Sequence, residues 1–137
     1  MDNYIGIDPG VNTGISVWNV KKQCFELVMT CGILRAFEVL SPYLVFGKNI
    51  VLIENPNLRK WYGKNSNLKL QGAGSIKRDY SIWVEWFKEN KVEFREIDPK
   101  NTKTKLSKDQ FAKITGYTKL TSEHARDACM MVFGMTK

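Results

Sequence analysis

The sequence has few of the residues that staple small domains together or carry a chain across a membrane. It contains three cysteines, Cys24, Cys31 and Cys129, an odd number that lacks the paired spacing of a metal site or a disulfide framework. We therefore expect reduced thiols within a core. No apolar run approaches the ~20 residues of a membrane span, and no charged segment followed by a long apolar one opens the chain. These absences predict a soluble, cytoplasmic protein, and with the compact length they suit a bacterial origin, or a phage origin and the host cytoplasm.

Positive charge is what the chain has in excess. Lys and Arg number 21 against 14 Asp and Glu, which gives a formal net charge of +7. Charge informs about partners and solubility rather than about the fold, so this excess favours an anionic partner, with nucleic acid first. A length of 137 residues suits one domain that buries its own core, and we take residues 1–137 as that domain.

The amino-terminal stretch predicts a β-hairpin whose first strand ends in a carboxylate. The apolar run 4–7 leads into Asp8, a turn follows at Pro9-Gly10, and a β-rich segment resumes over 15–18. A buried strand holds its last side chain rigidly, and glycines at 6, 10 and 14 let other groups approach closely. Asp8 can thus face a substrate, or it can simply start the turn, as Asp often does.

The rest of the chain predicts an α/β fold. The run 50–53 is uninterrupted and rich in β-branched residues, which is typical of a strand covered on both faces, and it ends at Glu54. The element order predicts a mixed five-stranded sheet, three antiparallel strands and then two parallel ones, flanked by helices. The other predicted elements are a strand over 24–31, a helix from Leu34 that breaks at Ser41-Pro42, an exposed loop over 57–74, an amphipathic helix over 75–90, a strand over 92–97, a short helix over 110–114 and a last helix from 121 or 122 to 133.

Three carboxylates far apart in the sequence can converge at one end of this sheet. Asp8 and Glu54 each close a buried strand, and Asp127 lies on the last helix. Clustered acids repel one another unless a cation compensates them, and hard oxygen ligands select Mg²⁺ or Mn²⁺ rather than zinc. Two such ions about 3.5–4 Å apart can activate water and stabilise the leaving oxygen in phosphodiester hydrolysis. His124, on the same helical face as Asp127, can bind metal, shuttle a proton, or be a plain surface residue.

Four segments resemble the RuvC-like Holliday-junction resolvases, and the resemblance extends over nearly the whole chain. They are Ile5-Gly6-Ile7-Asp8-Pro9-Gly10 with Thr13-Gly14, Ile53-Glu54, residues 64–74, and His124-Ala125-Arg126-Asp127-Ala128. The resemblance implies a ribonuclease-H-like fold, a homodimer, and Mg²⁺-dependent paired nicks placed symmetrically across a four-way DNA junction. It also implies that Asp8, Glu54 and Asp127 bind metal and that His124 occupies the fourth catalytic position. Many relatives have a carboxylate at that fourth position, and Glu123 beside it would point about 100° away on the helix.

The resemblance also implies DNA-contacting residues in two basic segments. In the family an aromatic wedge enters the junction centre, and Trp61 or Tyr62 is its counterpart here, unless both rings pack in the core. Lys108 and then Lys105 are the lysines expected near the cut phosphate, where a point charge stabilises phosphate oxygens; the alternative is a solvated basic loop. The remaining expected DNA contacts are Arg59, Lys60, Lys64, Asn65, Lys69 and Lys103.

Two other functions compete with a junction-cutting nuclease. One is a junction-binding protein on the same fold without turnover, against which the intact acidic set speaks. The other is an actin-like ATPase, which needs two such domains around a nucleotide cleft, whereas this length supplies one. For the homodimer, the amphipathic segment Ile76 to Phe87, with its two tryptophans, is the predicted subunit contact.

Overall fold

A mixed five-stranded sheet forms the centre of the protein, as the sequence predicts. The computed structural model describes residues 1–58, 66–98 and 106–137, with the backbone alone for 66–73. The strand order is β3-β2-β1-β4-β5, in which β2 is antiparallel to β1 and β3, whereas β4 is parallel to β1 and β5. The strands are β1 (Asn3–Asp8), β2 (Thr13–Asn19), β3 (Cys24–Cys31), β4 (Asn49–Glu54) and β5 (Phe94–Ile97).

Helices cover both faces of this sheet in its described part. Their bounds are α1 (Ile33–Val45), α2 (Ser66–Glu89), α3 (Lys108–Thr115) and α4 (Glu123–Val132), and a short 3-10 turn spans Pro56–Leu58. Ser107 and Gln110 form a capping box at the start of α3, and the left-handed Gly116 ends that helix. None of the helices in the described residues combines the length and the apolar character that a membrane crossing requires.

The alternation of side chains along the strands divides the sheet into two faces. Odd-numbered residues of β1 and β2, such as Ile5 and Val17, share one cluster with Trp83 and Phe87 of α2, together with residues of α1; we call this the α1/α2 face. Even-numbered residues point to the opposite side and pack with α4. This α4 face includes Tyr4, Trp18, Ile50 and Leu52, which cluster with Val132. The two apolar cores therefore lie on opposite sides of one sheet.

Helix α1 is continuous, although the sequence predicts a break at Ser41-Pro42. Pro42 lies inside the helix, in its last turn, where the missing proline N–H removes one intrahelical hydrogen bond. The Ser41 hydroxyl donates to the Phe37 carbonyl at 2.6 Å and supplies a local bond beside the proline. A proline this close to the end of the helix shortens the ladder without breaking the helix.

Other sequence expectations differ from the structure at element ends and in one packing assignment. Helix α2 begins at Ser66, nine residues before the predicted start, although Gly72 and Gly74 lower its intrinsic helix propensity. Cys24 is exposed rather than part of a core. Trp83 and Phe87 have no exposed surface, because they pack on the sheet of their own chain. Trp83 and Phe87 are thus buried within a single chain, whereas Ile82 on the same segment is 40% exposed, and the subunit contact over Ile76 to Phe87 stays a prediction.

Candidate metal centre

Asp8 is the last residue of β1, at the edge of the sheet where β1 and β4 end. The preceding residues Ile5 and Ile7 are fully buried on the α1/α2 face, so the alternation places the Asp8 side chain on the α4 face. The hydroxyl of Thr13 donates to the Gly10 carbonyl at 2.9 Å and fixes the turn that follows. Only 12% of the Asp8 side chain is exposed, so a rigid strand holds a largely buried carboxylate.

Helix α4 lies unusually close to this strand pair because glycines face it. A Cβ on Gly14 would stand 1.9 Å from the His124 carbonyl oxygen, and one on Gly6 would stand 2.2 Å from the Ala128 carbonyl oxygen. The Ser16 hydroxyl donates to the same Ala128 carbonyl at 3.0 Å. The helix backbone therefore touches the sheet backbone directly, and the side chains at the start of α4 lie next to Asp8.

The amino-terminal end of α4 is fixed by a side-chain cap. Ser122 is the N-cap residue, and its hydroxyl accepts from the Ala125 N–H at 3.2 Å. The same hydroxyl contacts the hydroxyl of Thr30, near the end of β3. The cap thus sets both where the helix starts and how its first turn meets the sheet.

Asp8, His124 and Asp127 form one group whose ligand atoms all lie within 4.8 Å of one another. Nδ1 of His124 is 3.1 Å from Oδ2 of Asp8. The hydrogen bond to Asp8 is the largest cause of a raised pKa at His124; partial burial opposes it, and the charges of Asp8, Asp127 and Glu123 add to it. Asp127 is 8% exposed, whereas 49% of the His124 side chain is exposed, so the group opens to solvent on the histidine side.

Glu54 lies at the same edge of the sheet but outside this group. Ile7 of β1 pairs with Ile53 of β4 in parallel register, so Asp8 and Glu54 are the next residues on strands about 4.8 Å apart. Ile50 and Leu52 belong to the α4 face, and the alternation assigns Glu54 to that face as well. The side chain is partly exposed. The strand register thus aligns Glu54 with Asp8, but its carboxylate is not among the ligand atoms that lie within 4.8 Å of one another.

The donor set fits a hard divalent cation. Asp8 and Asp127 are two nearly buried carboxylates that share one small volume with an imidazole, and Glu54 offers a third carboxylate nearby. Buried like charges destabilise one another unless hydrogen bonds or a cation compensate them. Carboxylate oxygens suit Mg²⁺ or Mn²⁺, whereas imidazole is a more usual ligand of zinc, copper, iron and nickel, so the two aspartates are the donors that favour a hard cation. The group of Asp8, His124 and Asp127 can therefore hold a metal ion.

Arg126 occupies a different side of α4 and ties that helix to the start of α3. Its Nε donates to the Leu106 carbonyl at 2.8 Å, and its NH1 donates to the Thr121 carbonyl at 2.7 Å and the Thr121 hydroxyl at 3.1 Å. Lys108, the first residue of α3, is exposed two residues beyond Leu106. Within the part of the chain that the structure describes, Lys108 does not contact the group of Asp8, His124 and Asp127.

Most of the predicted DNA contacts lie in segments outside the described residues. The backbone of Lys69 belongs to α2, but its side chain is outside the described part of the protein. The predicted contacts that lie outside the described residues altogether are Arg59, Lys60, Trp61, Tyr62, Lys64, Asn65, Lys103 and Lys105.

Sequence reasoning missed how glycines and a serine place α4 against the sheet. Gly6 and Gly14 stand out in the sequence as residues that permit close approach, but the sequence does not say that α4 is what approaches. Ser16 lies at an alternating position between Gly14 and Trp18, and its small side chain was a usable signal of close packing on that face. Small residues at every second position of adjacent strands indicate a backbone in contact.

Comparison with known proteins gives one informative result. No protein-family model matches the chain, and no curated protein matches it in sequence. Among solved structures, the chain is similar to T. thermophilus RuvC, a structure solved in complex with a Holliday junction substrate. The TM-score is 0.68 at 17% sequence identity, and the match covers 97% of this chain and 92% of the other. The protein therefore has the RuvC-like, ribonuclease-H-like fold.

Proposed function

We propose that the protein is a divalent-metal-dependent endonuclease that resolves four-way DNA junctions by paired symmetric nicks, in recombination and repair. The observation that carries this proposal is the meeting of Asp8, His124 and Asp127 within 4.8 Å, at the sheet edge where Glu54 also ends its strand. The fold is shared with a protein solved on a Holliday junction. The whole chain acts as one nuclease domain, and other branched duplexes are possible further substrates.

Four side chains make up the proposed centre. Asp8, Asp127 and Glu54 bind the metal through carboxylate oxygens, with Mg²⁺ as the expected ion, Mn²⁺ as a substitute, and two ions as the expected number per site. Such ions, when bound, activate water and stabilise the leaving oxygen of an in-line phosphodiester displacement. His124 either binds as a neutral imidazole or moves a proton at Nδ1, the atom that faces Asp8.

The net positive charge of the chain supports a polyanionic substrate. The chain carries +7 overall while the centre itself is acidic, so the basic residues elsewhere are available for phosphates. We assign phosphate contacts to Lys108, Lys105 and Lys103, and junction contacts to the segment 59–69, with Trp61 or Tyr62 stacking on an unpaired base. A homodimer with two-fold symmetry would place two such centres across a nearly two-fold substrate.

The test is a cleavage assay with purified protein, Mg²⁺ and end-labelled four-way junction, linear duplex, flap and RNA–DNA hybrid. The wild-type protein is expected to cut the junction at paired positions and to leave the linear duplex intact. Asp8→Asn and Asp127→Asn remove a carboxylate without changing side-chain size, and each is expected to reduce cutting to background while junction binding persists. Glu54→Gln is expected to do the same.

Three outcomes separate the competing functions. Junction binding by the wild-type protein without cutting in Mg²⁺ or Mn²⁺ would identify a junction-binding protein that lacks turnover. Cutting retained in both Asp8→Asn and Asp127→Asn would reject the proposed centre. Since phosphate contacts release counterions, the binding constant is also expected to fall steeply with salt, and a flat salt response would argue against a basic DNA-binding surface.

A further inference from the structure

Asn55, the residue after Glu54, uses all of its hydrogen-bonding groups to fix the backbone where the chain leaves β4. Its backbone N–H donates to the Ile97 carbonyl at 2.8 Å, and its own carbonyl accepts from the Leu58 N–H at 3.2 Å. The side-chain Oδ1 accepts from the Asn57 N–H at 2.9 Å, and Nδ2 donates to Oε2 of Glu96 at 3.2 Å. With 7% of its surface exposed, Asn55 is a buried polar residue that is fully satisfied.

Glu96 connects this residue to helix α2. It lies on β5 opposite Ile53, the residue before Glu54, and its Oε1 accepts from the Tyr80 hydroxyl. Tyr80 is 6% exposed. Burial is the largest cause that raises its pKa well above the ordinary value, and the hydrogen bond to Glu96 is the next. The phenol therefore remains a donor. A three-residue chain, Tyr80–Glu96–Asn55, thus joins α2, β5 and the turn after β4.

The result is a backbone that is fixed on both sides of Glu54. On one side Ile53 is fully buried in the cluster of the α1/α2 face. On the other side Asn55 is held by four hydrogen bonds. Between two such anchors the backbone of Glu54 is fixed on the α4 face, so a movement of its carboxylate toward Asp8 and Asp127 requires a change in its side-chain torsions.

We propose that Asn55 is a positioning residue for Glu54: it fixes the end of β4 so that the Glu54 carboxylate reaches the metal by side-chain rotation alone. This inference rests on the proposed function in that it takes Glu54 as a metal ligand. Groups that orient a ligand from behind contribute to metal affinity without touching the ion. Asn55 occupies that place through the backbone of the ligand residue itself.

The test is Mn²⁺ binding to the DNA-free protein, measured by isothermal titration calorimetry, with folding checked by circular dichroism. Asn55→Ala is expected to weaken Mn²⁺ binding about tenfold, the lower end of the range for residues that orient ligands. Glu96→Ala removes the acceptor of both the Asn55 side-chain amide and the Tyr80 hydroxyl, leaves the other three Asn55 hydrogen bonds in place, and is expected to give a smaller loss in the same direction. If Asn55→Ala does not fold, Glu96→Ala decides the question alone, and unchanged Mn²⁺ affinity in it overturns the proposal.

A double variant separates positioning from a general structural role. In a Glu54→Gln background, Asn55→Ala is expected to change Mn²⁺ affinity by less than about twofold, because Asn55 acts only through Glu54. Equal losses in both backgrounds would overturn the proposal. Asn57→Ala is the matched control, since Asn57 is exposed, uses only its backbone N–H in this turn, and is expected to bind Mn²⁺ like the wild type.

The two proposals can fail separately. If Glu54→Gln binds Mn²⁺ as tightly as the wild type, Glu54 is not a ligand, and the proposed centre is wrong at that position. If Glu54→Gln weakens binding and the folded Asn55→Ala variant does not, the centre stands and the positioning role is rejected.

Discussion

The two faces of the sheet are packed in different ways. On the α1/α2 face, large side chains fill the space, and Trp83 stacks on Phe37 with ring centroids 3.9 Å apart while Phe87 packs beside it. On the α4 face near Asp8, Gly6 and Gly14 carry no side chain, and the backbone of α4 contacts the strands directly. Both faces have an apolar core, but only the α4 face also brings helix backbone against strand backbone, beside Asp8.

The difference indicates that the stability of the fold and the position of the metal centre depend on different parts of the same sheet. Buried aromatic rings contribute large apolar areas to folding, and the positions of their neighbours can relax by small amounts. Direct backbone contact buries less apolar area, but it leaves α4 no freedom to move toward the sheet. We therefore expect substitutions on the first face to change the free energy of unfolding and substitutions on the second to change metal binding.

The largest expected effect on stability comes from truncating the aromatic core of the α1/α2 face. Trp83→Ala should lower the free energy of unfolding by about 3–5 kcal/mol, because the ring is fully buried and leaves a cavity. Urea denaturation measures this loss, and Mn²⁺ affinity of the folded fraction should remain that of the wild type. A large fall in Mn²⁺ affinity would show that the two faces are not separable.

Trp83→Phe is the matched control for that experiment. Within the described residues, the Trp83 indole N–H is buried without a hydrogen-bond partner, and phenylalanine removes this donor while keeping most of the ring. The loss in unfolding free energy should be clearly smaller than for Trp83→Ala. An equal loss would indicate that the indole N–H has a partner.

A smaller loss of stability, with a larger effect on the centre, is expected on the α4 face. Gly14→Ala places a methyl group 1.9 Å from the His124 carbonyl oxygen, so the start of α4 must move. Overpacking of this kind costs about 1–3 kcal/mol of unfolding free energy, and displacement of His124 and Asp127 should weaken Mn²⁺ binding measurably in calorimetry. Gly32→Ala is the control, since an added Cβ there has no atom within 4 Å. Unchanged Mn²⁺ affinity in Gly14→Ala would contradict the comparison.

The smallest expected effect is a pH dependence of stability that arises only on the α4 face. The pKa of His124 is raised above 6.5, chiefly by the hydrogen bond to Asp8, so the protonated imidazole stabilises the metal-free fold. This contribution is complete below the unfolded pKa and disappears as the pH rises through the higher folded pKa. The thermal midpoint of EDTA-treated protein should therefore fall slightly between about pH 6 and about pH 9. His124→Gln should remove that component of the pH dependence, and identical profiles for both proteins would contradict the expectation.

Local patterns predicted the elements of this fold well where one face of a strand or helix is apolar. The third strand was predicted over 24–31 and spans Cys24–Cys31. The start of α2 was not predicted, because glycines at 72 and 74 favour a loop in any count of local propensity. The capping box at Ser107 and Gln110 is readable in the sequence and would have placed the start of α3 correctly.

For the metal centre, the sequence predicted that the strand ends and the last helix meet, but not how close their side chains lie to one another. Asp8 and Asp127 lie together as expected, since strand ends and the last helix share one edge of the sheet. No sequence pattern indicates that Glu54 lies outside the group. The roles of Gly14 and Asn55 depend on long-range contacts, with α4 in one case and with β5 in the other.

The contact between His124 and Asp8 joins residues 116 positions apart, and it has a consequence for biosynthesis. The first two strands leave the ribosome well before α4 and can pair as a hairpin in the meantime. A nascent or prematurely released chain lacking α4 carries Asp8 without either of its partners. The group of Asp8, His124 and Asp127 is thus completed only after the residues between β1 and α4 have been synthesised.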